Sequence, residues 1–161
     1  MSALVSAQVR GPLYGQSAVC EKILRSLPDW FGSESSICGY VEEVGQLPTF
    51  TAETEGGAVG FLSLKVHNRY AAEVYVMGIL TGWHRQGLGR AMLSAAEKWL
   101  VAQEIEYLQV KTLADTHPDP FYARTREFYL RMGFRPLEVF DEKMWGSENP
   151  CLLMVKKISL S

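Results

Sequence analysis

Positions 81 to 90 read Thr-Gly-Trp-His-Arg-Gln-Gly-Leu-Gly-Arg, and these residue types suit the holding of an anion. An apolar run from Glu73 to Leu80 leads into this turn, and an amphipathic helical pattern leaves it. A helix start carries main-chain N–H groups with no intrahelical partner and the positive end of the helix dipole, so it favours phosphate. Gly87 and Gly89 remove side chains where phosphate oxygens would approach the backbone, and Arg85 and Arg90 add positive charge.

Two common phosphate cradles are excluded on residues. A nucleotide P-loop needs four residues between its first glycine and Gly-Lys-Ser/Thr, and no Lys-Ser/Thr follows Gly89. A dinucleotide fingerprint needs a third Gly or Ala where Met92 stands, and an acid ending a second parallel strand. Glu106 has roughly the right separation but begins a strand rather than ending one.

The turn His84-Arg85-Gln86-Gly87-Leu88-Gly89 resembles the acyl-CoA-binding motif of the GNAT N-acetyltransferase superfamily, Gln/Arg-x-x-Gly-x-Gly/Ala after the fourth strand. Both glycines match, and His84 replaces the usual Gln or Arg. The resemblance implies acetyl-CoA as co-substrate, with no metal. It assigns the pyrophosphate to the main chain of His84, Arg85, Gln86, Gly87, Leu88, Gly89 and Arg90. The pantetheine and acetyl carbonyl fall to Ile79, with Leu80 and Thr81 continuing the contact, and Arg124 stands where many members carry a cofactor-binding Asn.

Acetyl transfer to an amine needs a proton acceptor, a fixed donor to the carbonyl oxygen, an acid for the leaving thiolate and precise holding of the thioester. No covalent enzyme intermediate is needed. The segment from Arg126 to Phe134 resembles the family's later motif, which makes Tyr129, four residues before Gly133-Phe134, the expected acid. Ala72-Glu73-Val74-Tyr75 resembles the fourth strand of the histone-acetyltransferase branch and makes Glu73 the expected base. His67, His84 and His117 have a suitable intrinsic basicity and are alternatives. The acceptor pocket of the fold lies at the first two helices and the last two strands. Trp30, Phe31 and Trp145 are its expected lining, and Asp29 and Glu148 would favour a cationic amine with an apolar part. The Trp145-to-Pro150 run is similar to that of uncharacterised bacterial members.

The elements that must position these groups follow from periodicity and punctuation. Residues 3–9 read as a strand. Residues 17–27 read as a helix stopped by Pro28, and 34–44 as a second helix closed by Gly45. Strands are expected over 50–52, 59–66 and 73–80, with a turn at 55–57. A helix over 87–102 would face Leu88, Ala91, Met92, Ala95, Trp99 and Leu100 inward, and a strand over 107–113 follows. Asp119 caps the next helix, Pro120 begins it and Gly133 ends it. Two strands, 134–141 and 151–158, close the chain. This order is that of the GNAT fold. The expected class is α/β (α+β), a mixed, mostly antiparallel sheet of about seven strands flanked by about four helices, splayed between strands four and five.

One domain over 1–161 suits a chain of 161 residues with 47% hydrophobic content, enough for a core without metal or disulfide. A net charge of −2 argues against nucleic acid as a partner. The three cysteines show no paired spacing and read as reduced thiols. No signal peptide is expected, and no apolar run nears the roughly 20 residues that span a membrane, so a cytoplasmic location is expected. The expected function is N-acetyl transfer to a primary amine, the partner being a small-molecule acceptor. A non-catalytic acyl-CoA sensor and a protein acetyltransferase stand as alternatives. The resemblance also implies homodimer pairing through the last strands, residues 151–158.

Overall fold

The computed structural model describes residues 6–116, 119–140 and 149–159. Its elements run β1 (Gln8–Leu13), α1 (Ser17–Arg25), α2 (Glu34–Val44), β2 (Thr49–Thr54), β3 (Gly57–Val66), β4 (Ala71–Ile79), α3 (Leu88–Ala102), β5 (Tyr107–Leu113), α4 (Pro120–Arg131), β6 (Arg135–Phe140) and β7 (Cys151–Lys157). A short 3-10 turn at Thr81–Trp83 precedes α3. The seven strands are ordered β1-β2-β3-β4-β5-β7-β6. The β4–β5 pair is parallel, from Ala71↔Tyr107 to Val74↔Val110. The ladder ends there, four residues into a nine-residue strand, at the splay that the fold class predicts.

The chain forms two compact units, Met1–Lys65 with Tyr75–Trp99, and Val66–Val74 with Leu100–Ser161. In the first, α1 and α2 bury Cys20, Ile23, Leu24, Leu27, Ile37 and Val44 against Phe61 and Val76. Burial of each large apolar side chain contributes about 1.5–3 kcal/mol. Gly78 lets α1 reach the sheet, because a methyl group on its Cα would stand 3.0 Å from Ile23 Cγ2 and 3.2 Å from Phe61 Cε1. Ser33 caps α2 through the amide of Ser36. Arg25 clamps Glu34 with two bonds of 2.7 and 2.8 Å, which joins α1 to the start of α2.

Three sequence expectations shift. Among the described residues the first strand runs from Gln8 to Leu13, past the expected end at residue 9, while residues 3–5 of the expected span lie outside the described residues. It pairs, among the described residues, only with β2, and it breaks register between Arg10 and Leu13, where Gly11-Pro12 lies; an edge strand tolerates a proline. Helix α1 stops at Arg25, where Ser26 turns its hydroxyl onto the Ile23 carbonyl at 2.6 Å. On α3 the buried positions are Leu88, Gly89, Met92, Leu93, Ala96 and Leu100, while Ala91 is exposed and Ala95 and Trp99 are half-buried. Trp99 instead meets the Phe50 ring edge-on at 6.3 Å.

In the second unit, β7 pairs with β5 from Tyr107↔Lys157 to Leu113↔Cys151 and with β6 along its other edge. Residues 151–157 therefore have both edges taken, and among the described residues β6 is the outer strand on that side of the sheet. Helix α4 is fixed at its start by Asp119, whose carboxylate accepts from the amides of Phe121 and Tyr122 at 2.9 and 3.2 Å. Arg126 donates to the Leu113 carbonyl at 2.6 Å and ties α4 to β5. Among the described residues no helix is long and apolar enough to cross a membrane.

Candidate active site

In the first unit the chain leaves β4 at Ile79 and reaches α3 through a turn with two left-handed residues, Arg85 (φ +62°) and Gly87 (φ +78°). Left-handed residues amid right-handed ones point successive N–H groups into a concavity that accepts anions. His84 N–H donates to the Thr81 carbonyl, and the next main-chain bond is Ala91 N–H to Gly87 C=O at 3.0 Å. Among the described residues the amides of Arg85, Gln86 and Gly87 meet no main-chain acceptor. Those of Leu88, Gly89 and Arg90 occupy the first turn of α3, where none exists within the helix. Arg85, Gln86 and Arg90 are exposed, and the Gln86 side-chain amide ties the turn to the Gly82 carbonyl at 3.3 Å. The Leu88 side chain packs in the core.

Not every expected contact atom is open. The Leu80 N–H donates to Val59 at 2.9 Å, and its carbonyl accepts from Trp83 at 2.8 Å. The Thr81 carbonyl accepts from His84. His84 turns its ring back on the strand: Nε2 stands 2.6 Å from the Ile79 carbonyl oxygen. A carbonyl brings no proton, so Nε2 must carry one. His84 also meets the Trp30 ring edge-on, with centroids 5.7 Å apart, so the turn touches the expected acceptor loop.

Aromatic rings continue around that loop. Phe31 meets Tyr40 at 5.9 Å, and Tyr40 meets Tyr75 at 5.3 Å. Lys65 Nζ lies 4.7 Å over the Tyr75 ring and 3.0 Å from Glu43. A hydrogen bond from Tyr75, then the Lys65 ammonium, hold the Glu43 carboxyl below its ordinary range. Sequence reasoning missed Tyr40, Tyr75 and Lys65, which converge only through strand register and helix packing. Trp145, Glu148 and His117 lie outside the described residues.

In the second unit Tyr129 is the buried side chain of α4. Its ring meets Phe128 and Phe134 edge-on at 5.2 and 5.3 Å. Burial, then the neighbouring Tyr122, push its phenol well above the ordinary value, so it stays protonated. Arg124 is exposed, with its guanidinium over the Phe121 ring at 5.5 Å.

Glu73 is not a solvated charge at a strand end. Its side chain is 5% exposed, and three donors converge on one oxygen, Oε1: His67 Nε2 at 2.7 Å, Gln109 Nε2 at 3.2 Å and Lys111 Nζ at 3.3 Å. Strand register explains the cluster, since Glu73 faces Gln109 across the parallel ladder and Lys111 lies on the same face two residues on. Cys151, opposite Leu113 on β7, senses the same group. Burial raises its thiol, Lys111 lowers it and Glu73 raises it. Among the described residues no three His, Cys, Asp or Glu side chains are grouped to hold a metal.

A family model for the acetyltransferase (GNAT) domain matches residues 46–136. No curated protein matches the chain in sequence. Among solved structures, a GNAT-family protein from Desulfovibrio desulfuricans superposes with a TM-score of 0.79 at 16% identity, over 96% of this chain and all 100% of its own. The ribosomal-protein-S18-alanine N-acetyltransferase of Escherichia coli gives 0.74 at 17% identity, over 96% of each chain. The PaiA N-acetyltransferase of Thermoplasma acidophilum, solved with coenzyme A, gives 0.69 at 19% identity, over 94% of this chain and 99% of its own. At such identities the likeness is one of fold.

Proposed function

The chain belongs to the GNAT acetyltransferase family, and from that premise we propose that it transfers the acetyl group of acetyl-CoA to a primary amine on a small molecule. Acetyl-CoA supplies an activated thioester. One observation carries the reading: the turn before α3 presents left-handed Arg85 and Gly87, a run of amides without main-chain partners and two exposed arginines. That donor set fits a pyrophosphate. Coenzyme A bound to the structurally similar PaiA protein supports the same co-substrate here.

Each residue has a task in this reading. The amides from Arg85 to Arg90 hold phosphate oxygens, with the Arg85 and Arg90 charges beside them. Arg124 adds a further exposed cation to the cofactor set. The main chain of Ile79, braced by His84, directs a donor at the carbonyl oxygen, and Leu80 and Thr81 continue that contact along the arm. Tyr129, kept protonated by burial, delivers a proton to the departing sulfur. The cluster on Glu73 receives the proton of the amine. Trp30 and Phe31, continued by Tyr40 and Tyr75, offer ring faces and edges to an amine with an apolar part.

The test is CoA release, followed with a thiol dye, from acetyl-CoA and a broad panel of primary amines. Amine-dependent release that falls about 10²- to 10⁴-fold in Tyr129→Phe is expected, the usual weight of a general acid. No release from any small amine, with acetyl-CoA still bound, refutes small-molecule transfer. Failure to bind acetyl-CoA refutes the cradle itself.

A further inference from the structure

We propose that the His84 side chain locks the cofactor turn to the acceptor loop, so that Trp30, which lies outside the turn, helps to set the affinity for CoA. The inference rests on the transfer reading above and deepens it by naming the contact through which the two sites communicate. Every group in it belongs to the first unit.

A strained residue needs a holder. Arg85 follows His84 directly and sits at φ +62°, in the left-handed region that L side chains avoid. Such a conformation persists where its surroundings over-determine it. Arg85 is exposed, and its amide meets no main-chain acceptor among the described residues, so the hold comes from its neighbours. On the α3 side the Ala91 N–H reaches the Gly87 carbonyl, and the exposed Gln86 amide reaches Gly82. On the β4 side stands the half-buried His84, with three contacts. Its N–H donates to the Thr81 carbonyl at 3.2 Å and its Nε2–H to the Ile79 carbonyl at 2.6 Å. Its ring meets Trp30 with centroids 5.7 Å apart and planes at 79°.

The partners of His84 are themselves fixed. The peptide between Ile79 and Leu80 is held at both polar ends, its carbonyl by His84 and its N–H by the Val59 carbonyl at 2.9 Å. Trp30 packs against the core of α1 and α2, and its N–H donates to the Leu27 carbonyl at 3.1 Å. The ends of the loop that carries it are joined by the Arg25–Glu34 clamp. His84 thus bridges a fixed strand end and a fixed loop, one residue before the strained position. Without the ring contact the empty turn relaxes more readily, and CoA must restore the native form on binding. An edge-on aromatic pair corresponds to a factor of about 2 to 12 in an equilibrium constant. Such coupling is reciprocal. A cofactor seated on the amides from Arg85 to Arg90 strengthens the His84–Trp30 contact by the same factor, so bound acetyl-CoA steadies the ring expected to meet the amine.

The experiment is a double-mutant cycle on the CoA Kd, read by titration calorimetry, with Tm recorded for each variant. Trp30→Leu keeps apolar filling against the core but no ring. His84→Gln keeps a donor for the Ile79 carbonyl but no ring. Trp30→Leu should weaken CoA about 2- to 12-fold beside the native His84 and far less beside His84→Gln, so the two changes are not additive. His84→Phe keeps a ring and loses the donor, and beside it Trp30→Leu should weaken CoA again. Trp30→Phe should recover part of the loss. A merely structural role would lower Tm and leave the two changes additive. An unchanged Kd in Trp30→Leu, or an equal loss beside His84 and His84→Gln, would overturn the coupling and leave the transferase reading standing. A wild-type protein that binds no CoA would overturn both.

Discussion

Gly87→Ala isolates the backbone of the cradle from everything else in the molecule. Gly87 sits at φ +78°, yet a methyl on its Cα would meet no atom within 4 Å. The substitution therefore creates no tertiary clash, changes no charge and removes no hydrogen-bonding atom. What remains is the local penalty for an L residue in the left-handed region, about 1–2 kcal/mol. Arg85, two residues earlier, already carries such a penalty, so the turn would hold two strained residues in place of one. No side chain pins Gly87, so the empty turn can relax and the strain is felt when phosphate demands the native conformation. At about 1.4 kcal/mol per tenfold, CoA affinity should fall roughly 5- to 30-fold. Titration calorimetry with CoA reads this directly, and Tm should move by less than the same energy would shift it in the folded core. A Kd within twofold of wild type would refute the argument, because the left-handed residue would then have no part in binding.

Other outcomes follow from burial and capping. Asp119→Ala removes the acceptor for two amides at the start of α4 and should cost about 0.5–2 kcal/mol, whereas Asp119→Asn keeps most of it; urea unfolding separates the two. At pH 7.5 a thiol reagent should titrate one cysteine in the native protein, Cys38, and three in denaturant, because Cys20 and Cys151 are buried. Two labels in the native state would contradict the packing of α1 or of β7. Burial pushes the Cys20 thiol up to about 12 and the Tyr129 phenol above its ordinary value, so the folded chain keeps protons that the unfolded chain loses. That stability is fully present below the unfolded values, near 9 for the thiol and 10 for the phenol, and declines as pH rises past them. Tyr129→Phe should therefore flatten the alkaline end of a plot of urea midpoint against pH.

Local signals carried far in this chain because they act within a few residues. Ser33 and Asp119 each cap the helix they precede, and α2 and β5 run over the residues that spacing and composition predict. The misreadings arise where tertiary contact decides. Periodicity sets the angular width of a buried stripe but not its centre when alanines lie on both sides. On α3 the bulk of Leu93 turned the buried stripe away from Ala91 and toward Ala96. The first strand is expected to end at residue 9, yet β1 continues through Gly11-Pro12 to Leu13 because an edge strand can lose one donor to proline.

The chemistry divides along the same line. The turn from His84 to Arg90 was legible because a phosphate cradle is a contiguous backbone device, and its glycines and arginines stand next to one another in sequence. The surroundings of Glu73 were not. They need His67 from a hairpin turn and Gln109 and Lys111 from a strand some 36 residues away, brought to one oxygen by a parallel ladder of four residue pairs. A one-residue slip of that ladder would exchange Gln109 for Leu108 or Val110 and carry Lys111 off the Glu73 face, leaving the buried carboxylate with His67 but without its two donors from β5, at a penalty of about 1–3 kcal/mol. The polar cluster is thus both a candidate for chemistry and a reason that β4 and β5 pair in this register. Its two roles separate experimentally: a residue needed only for register acts on stability, while one that handles a proton acts on kcat in a protein that still folds.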